Sequence, residues 1–136
     1  MIVLDTDIVL EPLKPEPSEH VMAWASRHAD DLAITSVTVG ELLTGIAFLP
    51  EGARKQALLK AVGDVTDGLV TCLPYDEPAA HAYAKLRGVA RRAGRGLSAE
   101  DGMIAAICAA NGATLATRNT ADLDFLGIQL VNPWRT

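Results

Sequence analysis

The sequence is poor in the residues that characterise several common classes of protein. Only 4% of its 136 residues are aromatic, and it contains two cysteines and three histidines. Cys72 and Cys108 lack the close spacing of a zinc or redox motif, and their apolar surroundings predict buried, reduced thiols. Because His20, His28 and His81 also lack zinc-ligand spacing, we expect neither a histidine-ligated metal nor a histidine-based nuclease.

Long hydrophobic runs and an excess of positive charge are missing as well. The longest uncharged stretch is interrupted by asparagine and glycine and is too short to span a membrane. The N-terminus has no basic region followed by an apolar one, so no signal peptide is expected. A net charge of −5 argues against a protein that coats nucleic acid non-specifically. We therefore expect a cytoplasmic protein without a membrane partner.

What the chain does have is an alternation of short apolar runs with longer helical segments. Its length suits one core, so we expect a single domain over residues 1–136. This order of elements predicts an α/β protein with three α/β/α layers around a central, mostly parallel sheet of about five strands. The predicted strands cover residues 2–4, 32–35, 70–73, 115–117 and 128–131, and the predicted helices begin near residues 18, 37, 53, 76 and 98.

Four carboxylates stand in otherwise apolar or Ala/Gly-rich segments, at predicted ends of strands and helices. Sites in open α/β sheets form outside the carboxyl ends of the strands, so we expect these acids to meet there. Clustered carboxylates raise one another's pKa values, and a hard divalent cation would relieve that conflict and serve phosphate-ester chemistry. The sequence therefore predicts an acidic metal pocket formed by Asp5, Glu41, Asp101 and Asp122.

Each of these acids also has a purely structural explanation. Asp101 and Glu41 lie three residues after a serine or threonine, as in a capping box. Asp5 fits an Asx turn that closes a strand, and Asp122 fits a helix cap. These explanations do not account for the position of all four acids at one end of the predicted sheet.

The segments VLDTDIVLEPLKPEP, SVTVGELLTGI, DGMIAAICAANGATLATRN and LVNPW resemble the PIN-domain ribonucleases of the VapC and FitB toxin type, from residue 2 to about 134. The resemblance implies a Mg²⁺-dependent endoribonuclease, with Mn²⁺ as a substitute, that cleaves RNA by metal-activated water. It also implies a homodimer, held inactive by a cognate DNA-binding antitoxin, in a complex that can be a higher assembly. The implied catalytic and metal-binding quartet is Asp5, Glu41, Asp101 and Asp122, supported by Thr6, Thr117 and Asn119.

One position departs from the family pattern. Many relatives have asparagine two residues after the first aspartate, where this chain has Asp7. The additional charge either alters the number or affinity of bound metal ions, or faces away from the pocket.

The basic residues are sparse, but several fall together in the segment KLRGVARRAGR. Arg91, Arg92 and Arg95 either end a helix in solvent, where cations favour the helix dipole, or form an edge that contacts RNA phosphates. Arg118 lies between Thr117 and Asn119, close to Asp122 of the predicted quartet, and is the stronger single candidate for a phosphate contact.

Two other functions remain open. The segment LDTDIVL also satisfies the D-x-D-x-[TV] opening of haloacid-dehalogenase-type phosphatases, in which Asp5 would be the nucleophile and Asp7 the general acid. That assignment leaves three of the four acids without a role. The other possibility is a non-catalytic PIN scaffold that serves as a binding module, which an intact acidic quartet disfavours.

Overall fold

A sheet of five parallel strands forms the centre of the protein, in the order β3-β2-β1-β4-β5. The computed structural model describes residues 1–69 and 71–136. Every recorded strand pairing is parallel, which agrees with the alternating pattern of strands and helices. The strands are β1 (Ile2–Leu4), β2 (Leu32–Thr35), β3 (Thr71–Leu73), β4 (Thr114–Ala116) and β5 (Leu130–Val131).

The register brings the carboxyl ends of the central strands to one edge of the sheet. Ile2 of β1 pairs with Leu32 on one side and with Thr114 on the other. Leu4 pairs with Ala116, so Asp5 and Thr117 both follow the last paired residue of their strands. The edge that begins at these two positions is the predicted location of the site.

Seven α-helices flank the sheet in the described part of the chain. Most begin and end at residues that satisfy the free backbone groups of a helix: Ser18, Thr35, Asp76 and Ser98 accept backbone N–H groups at N-termini, and Gly94 and Gly112 adopt left-handed conformations at C-termini. The helices are α1 (Thr6–Leu10), α2 (Glu19–Arg27), α3 (Ser36–Ala47), α4 (Ala53–Asp64), α5 (Glu77–Ala93), α6 (Ala99–Asn111) and α7 (Thr120–Leu123). Short 3₁₀ turns cover Glu11–Leu13, Ala29–Asp31 and Asp124–Leu126, and a π-helical turn covers Val65–Leu69.

Side chains of alternate strand residues belong to two apolar cores, one on each face of the sheet. Val3 and Leu115 belong to the core formed with α5 and α6. Leu4 and Ala116 belong to the opposite core, which includes Trp24 of α2. This alternation gives the predicted three-layer α/β/α arrangement, because each face of the sheet buries its own set of side chains under helices.

Several local predictions differ from the structure. Helix α1 was not predicted, because it has only five residues and a single residue, Asp5, separates it from β1. The predicted strand at 70–73 appears as Thr71–Leu73, and Val70 lies outside the described residues. The prediction of two buried cysteines was wrong for one of them, since Cys108 is buried but Cys72 is exposed on the edge strand. No helix in the described part of the chain has the length and apolar character needed to cross a bilayer.

Candidate active site

Asp5 is held by hydrogen bonds at both carboxylate oxygens. Its Oδ1 accepts the Thr6 backbone N–H at 2.8 Å and thereby caps the N-terminus of α1. Its Oδ2 accepts the hydroxyl of fully buried Thr117 at 2.7 Å. Asp5 is thus a helix cap and does not make the bond of an Asx turn, which would go to the N–H two residues on. The second bond fixes the carboxylate across the β1–β4 junction.

Thr117 connects Asp5 to the turn that begins α7. Its Oγ1 donates to Asp5 and accepts the backbone N–H of Asn119 at 3.2 Å. Asn119 occupies the N-cap position of α7 without a side-chain cap bond. Thr6 and Thr117 thus contact Asp5 directly, whereas Asn119 is linked to it through its backbone.

Asp101 lies in the first turn of α6 and shares its environment with other acids. Burial, and next the charge of Asp5, raise the pKa of the Asp101 carboxyl, with smaller contributions from Glu100 and Asp122. The Ser98 hydroxyl lowers this pKa in part. Its Oγ also accepts the Asp101 backbone N–H at 3.1 Å. The helix cap is therefore made by the serine side chain and the aspartate backbone, which leaves the Asp101 carboxylate available to the acidic cluster.

Glu41 lies in the second turn of α3. The side chain of Thr35 caps this helix by accepting the N–H of Thr38 at 3.0 Å, so a capping box between Thr38 and Glu41 is ruled out. Burial, and next the charges of Asp5 and Asp101, raise the pKa of Glu41. The pKa of Glu41 therefore responds to acids on elements that are distant in sequence, Asp5 before α1 and Asp101 on α6.

Asp122 is the third residue of α7 and is exposed. Its charge contributes to the raised pKa of Asp101, which places it on the same side of the sheet. Because Asn119 holds the N-cap position, the helix-cap explanation for Asp122 does not apply.

Asp7, the position at which the sequence departs from the family pattern, lies in the first turn of α1 and is exposed.

Sequence analysis did not single out two acidic residues that the structure shows to matter, Glu100 and Glu11. The charge of Glu100 raises the pKa of both Glu41 and Asp101, so a fifth carboxylate faces this edge. Glu11 is only 3% exposed; it accepts the Ser18 N–H at 2.9 Å and pairs with the Lys14 ammonium at 2.8 Å. These contacts, led by Lys14, lower the pKa of the Glu11 carboxyl. They also hold the proline-rich loop, residues 12–17, against the fold.

The acidic cluster fits a divalent cation by its donor chemistry but is not a ready-made cage. Within residues 1–69 and 71–136, no three acidic, histidine or cysteine side chains are close enough together to hold a metal ion. Mg²⁺ does not require such a cage, because it usually retains several waters and binds one or two carboxylates directly. The raised pKa values of Glu41 and Asp101 show the like-charge conflict that a cation would relieve.

The basic residues divide between two places. Arg87, Arg91 and Arg95 line an open cleft of about 470 Å³ along α5 and the loop that follows it; Arg92 is exposed on the same helix. Arg118 lies elsewhere, with its guanidinium 4.5 Å from the centre of the Trp134 ring. Its charge also lowers the pKa of Glu11, which places it toward the proline-rich loop.

A mostly apolar groove opens beside Glu41. It has a volume of about 250 Å³ and lies between α1 and the α3–α4 pair. Glu41 and Thr6 form its end at the acidic cluster, Arg54 contributes a cation, and leucine and isoleucine side chains supply the rest of its surface.

Comparison with known proteins extends over nearly the whole chain. Residues 2–125 match the PIN domain. The chain is 38% identical to Toxin FitB of Neisseria gonorrhoeae, with 98% of this chain and 99% of the toxin covered. It is 36% identical to the VapC ribonuclease Y4jK of Sinorhizobium fredii, with 98% of both chains covered.

Solved structures also match the fold over nearly the whole chain. The fold superimposes on the structure of FitAcB from Neisseria gonorrhoeae with a TM-score of 0.91, 37% identity and complete coverage of both chains. A member of the VapBC family of toxin–antitoxin systems from Mycobacterium tuberculosis matches with a TM-score of 0.72, 27% identity and 96% coverage of each chain.

Proposed function

The chain belongs to the PIN-domain family, and we propose that it is a Mg²⁺-dependent endoribonuclease, the toxin of a type II toxin–antitoxin pair. The observation that carries this proposal is the position of Asp5, Glu41 and Asp101 near the carboxyl edge of the sheet, where Thr6, which is bonded to Asp5, and Glu41 line one groove. After burial, the charge of Asp5 is the largest cause that raises the pKa of Glu41 and Asp101. The similarity to a protein named as a VapC ribonuclease supports RNA as the substrate.

Asp5 and Asp101 are the proposed principal metal ligands, with Glu41 and Asp122 as further ligands or as groups that orient water. A bound Mg²⁺, or Mn²⁺ in its place, would supply charge neutralisation at the phosphate and a more acidic water. Thr6 and Thr117 fix the Asp5 carboxylate through the 2.8 Å and 2.7 Å bonds. Because Asp5 is held before any ligand arrives, little of its freedom remains to be lost on binding.

Water, and not a side chain or the RNA 2′-hydroxyl, is the proposed nucleophile. Glu41 and Asp122 are not proposed as principal metal ligands, so their carboxylates can orient the attacking water and accept its proton. The phosphatase alternative requires Asp5 as a nucleophile and leaves Glu41 and Asp101, whose pKa values respond to the Asp5 charge, without a role. The family match also favours the nuclease over the phosphatase.

The chemistry of the product ends tests this proposal. We expect a labelled RNA oligomer to be cut into products with 5′-phosphate and 3′-hydroxyl ends, because water attacks the phosphorus atom. The ends can be identified by their susceptibility to phosphatase and ligase. A 2′,3′-cyclic phosphate would contradict hydrolysis by water, and the absence of any RNA cleavage would favour the non-catalytic binding module.

The RNA path is proposed to follow the arginine cleft on α5. Arg87 and Arg91 in its lining provide a local positive surface on a chain whose net charge is −5, and phosphate contacts dominate nucleic-acid affinity. Arg95 also lines the cleft, but its side chain is bonded to the α7 region. Arg92 and Arg118 are further candidates for phosphate contacts. The stacking of Arg118 on Trp134 makes Arg118 less available than exposed Arg92.

The groove beside Glu41 is the proposed docking surface for the antitoxin. Its leucine and isoleucine side chains suit an apolar segment, and its end at Glu41 leads to the acidic cluster. An antitoxin arginine at that end would pair with the carboxylates in bidentate fashion and exclude the metal ion. The match to a member of a toxin–antitoxin family supports such a partner, which we propose also binds DNA within a higher assembly.

We also propose a homodimer, which would cover exposed apolar side chains. Helix α2 does not offer such a surface, since Trp24 is only 3% exposed. Helix α3 and the residue after it do offer such surface, since Leu43 is 42% and Phe48 is 83% exposed. We expect sedimentation at micromolar concentration to give a dimer that Phe48→Asp weakens, while Leu59→Asp on α4 serves as a control. A strict monomer for the parent protein would contradict the proposal.

A further inference from the structure

The loop between α5 and α6 places one arginine next to the segment that carries Asp122. Gly94 ends α5 with a φ of 65°, a left-handed conformation that favours glycine. The N–H of Arg95 then bonds back to the carbonyl of Ala90 at 3.0 Å. These two features fix where the Arg95 side chain leaves the helix end.

The Arg95 side chain makes two contacts with the α7 region. Its Nη2 donates to the carbonyl oxygen of Ala121 at 3.3 Å. Its guanidinium also lies 4.6 Å from the centre of the Phe125 ring, within the range of a cation–π interaction. Ala121 directly precedes Asp122, and Phe125 follows it by three residues, so the two contacts flank the acid.

Helix α7 needs such support, because it has only four residues and no side-chain cap bond at Asn119. A helix of one turn is unstable by itself. Buried Leu123 and Leu126 anchor the segment to the core under α5 and α6. Arg95 supplies a polar anchor at the Ala121 carbonyl, so the backbone is held on both sides of Asp122.

We infer that Arg95 is a positioning residue, which fixes the α7 backbone and thereby the Asp122 carboxylate, rather than a contact for RNA phosphate. The inference rests on the proposed ribonuclease function for its catalytic consequence, but the anchoring itself does not. Arg91 lines the same cleft and has no recorded side-chain contact with the α7 segment in the described part of the chain. It is therefore the matched comparison for the loss of one positive charge.

The first test compares Arg95→Gln with Arg91→Gln in RNA cleavage. For Arg95→Gln we expect kcat to fall roughly tenfold to a hundredfold with KM nearly unchanged, because small misplacements of a catalytic group cost about this much. For Arg91→Gln we expect KM to rise, and the slope of log affinity against log salt to fall by about one, as for a lost phosphate contact. A raised KM and a reduced salt slope for Arg95→Gln as well would overturn the inference.

The second test does not depend on catalysis. Backbone amide exchange over residues 119–126 should become faster in Arg95→Gln and stay unchanged in Arg91→Gln, because only Arg95 anchors this segment. Phe125→Leu should produce part of the same loss of protection, and Phe125→Tyr, which retains the ring, should not. Unchanged exchange in Arg95→Gln would reject the anchor even if the protein cleaves RNA. Faster exchange in a protein that does not cleave RNA would support the anchor while the proposed function fails.

Discussion

Asp101→Asn should remove almost all RNA cleavage and leave the metal-free protein at least as stable as the parent. Burial and the charge of Asp5 raise the pKa of Asp101, so the ionised carboxylate is less favourable in the folded state than in the unfolded chain. Asparagine keeps the shape and removes the charge. The cap of α6 survives, because it uses the Ser98 hydroxyl and the backbone N–H of residue 101.

The expected loss of activity is at least about a hundredfold, because a metal ion contributes several kcal/mol to catalysis and each 1.4 kcal/mol is a factor of ten. Single-turnover cleavage of a labelled RNA and thermal unfolding measure the two effects separately. Asp124→Asn is the matched control. It removes the same charge from an exposed side chain at the start of the 3₁₀ turn after α7, and it should preserve cleavage. A large fall in the melting temperature of Asp101→Asn would show instead that the carboxylate is mainly structural.

The stability difference between Asp101→Asn and the parent should depend on pH in a defined direction. A carboxyl with a raised folded-state pKa binds protons more readily in the folded state, so the parent gains stability as pH falls toward that pKa. Below its raised pKa, the Asp101 carboxyl is protonated and resembles asparagine. The advantage of the variant should therefore be largest at neutral pH and shrink as the solution is acidified toward the ordinary value of 3.8.

Removal of divalent metal should abolish RNA cleavage completely. EDTA is expected to inactivate the enzyme, and added Mg²⁺ or Mn²⁺ to restore it, because only a hard cation reconciles the clustered carboxylates with a negatively charged phosphate. The absence of a preformed ligand cage among the described residues predicts an ion that a chelator strips readily.

Thermal unfolding provides a second measurement of metal binding. At a hundred times the dissociation constant, a bound ligand stabilises the folded state by about 2.7 kcal/mol. We expect Mg²⁺ to raise the melting temperature of the parent protein and to have little effect on Asp101→Asn. Full RNA cleavage in excess chelator would contradict the metal-dependent mechanism.

The parts of the fold that could be predicted are those encoded by local signals. Ser98 and Gly112 marked the two ends of α6, and the apolar runs after Met1 and Asp31 marked β1 and β2, because caps and buried strands require particular residue types. The four acids could be selected as candidates for the same reason, since isolated acids in apolar segments stand out, and their metal-binding role stays a prediction. Their coupling in the structure agrees with the expected common edge.

The parts that could not be predicted depend on contacts between distant residues. Prolines and charges surround Glu11, so its sequence neighbours do not predict burial, yet it is buried and stabilised by Lys14 and the Ser18 N–H. Glu100 adjoins Asp101, and only the position of α6 relative to α3 brings its charge to Glu41. The cation–π contact of Arg95 with Phe125 joins residues thirty positions apart, a pairing that one sequence does not reveal.

The central position of β1 has a consequence for the newly made chain. Ile2–Leu4 is synthesised before its partner β4, which follows more than a hundred residues later. At 5–20 residues per second, the ribosome needs roughly five to twenty seconds to produce that partner. Throughout that time Asp5 has no Thr117 to hold it, and Asp122 does not yet exist. The proposed site therefore stays incomplete on the ribosome until translation of this domain is almost finished.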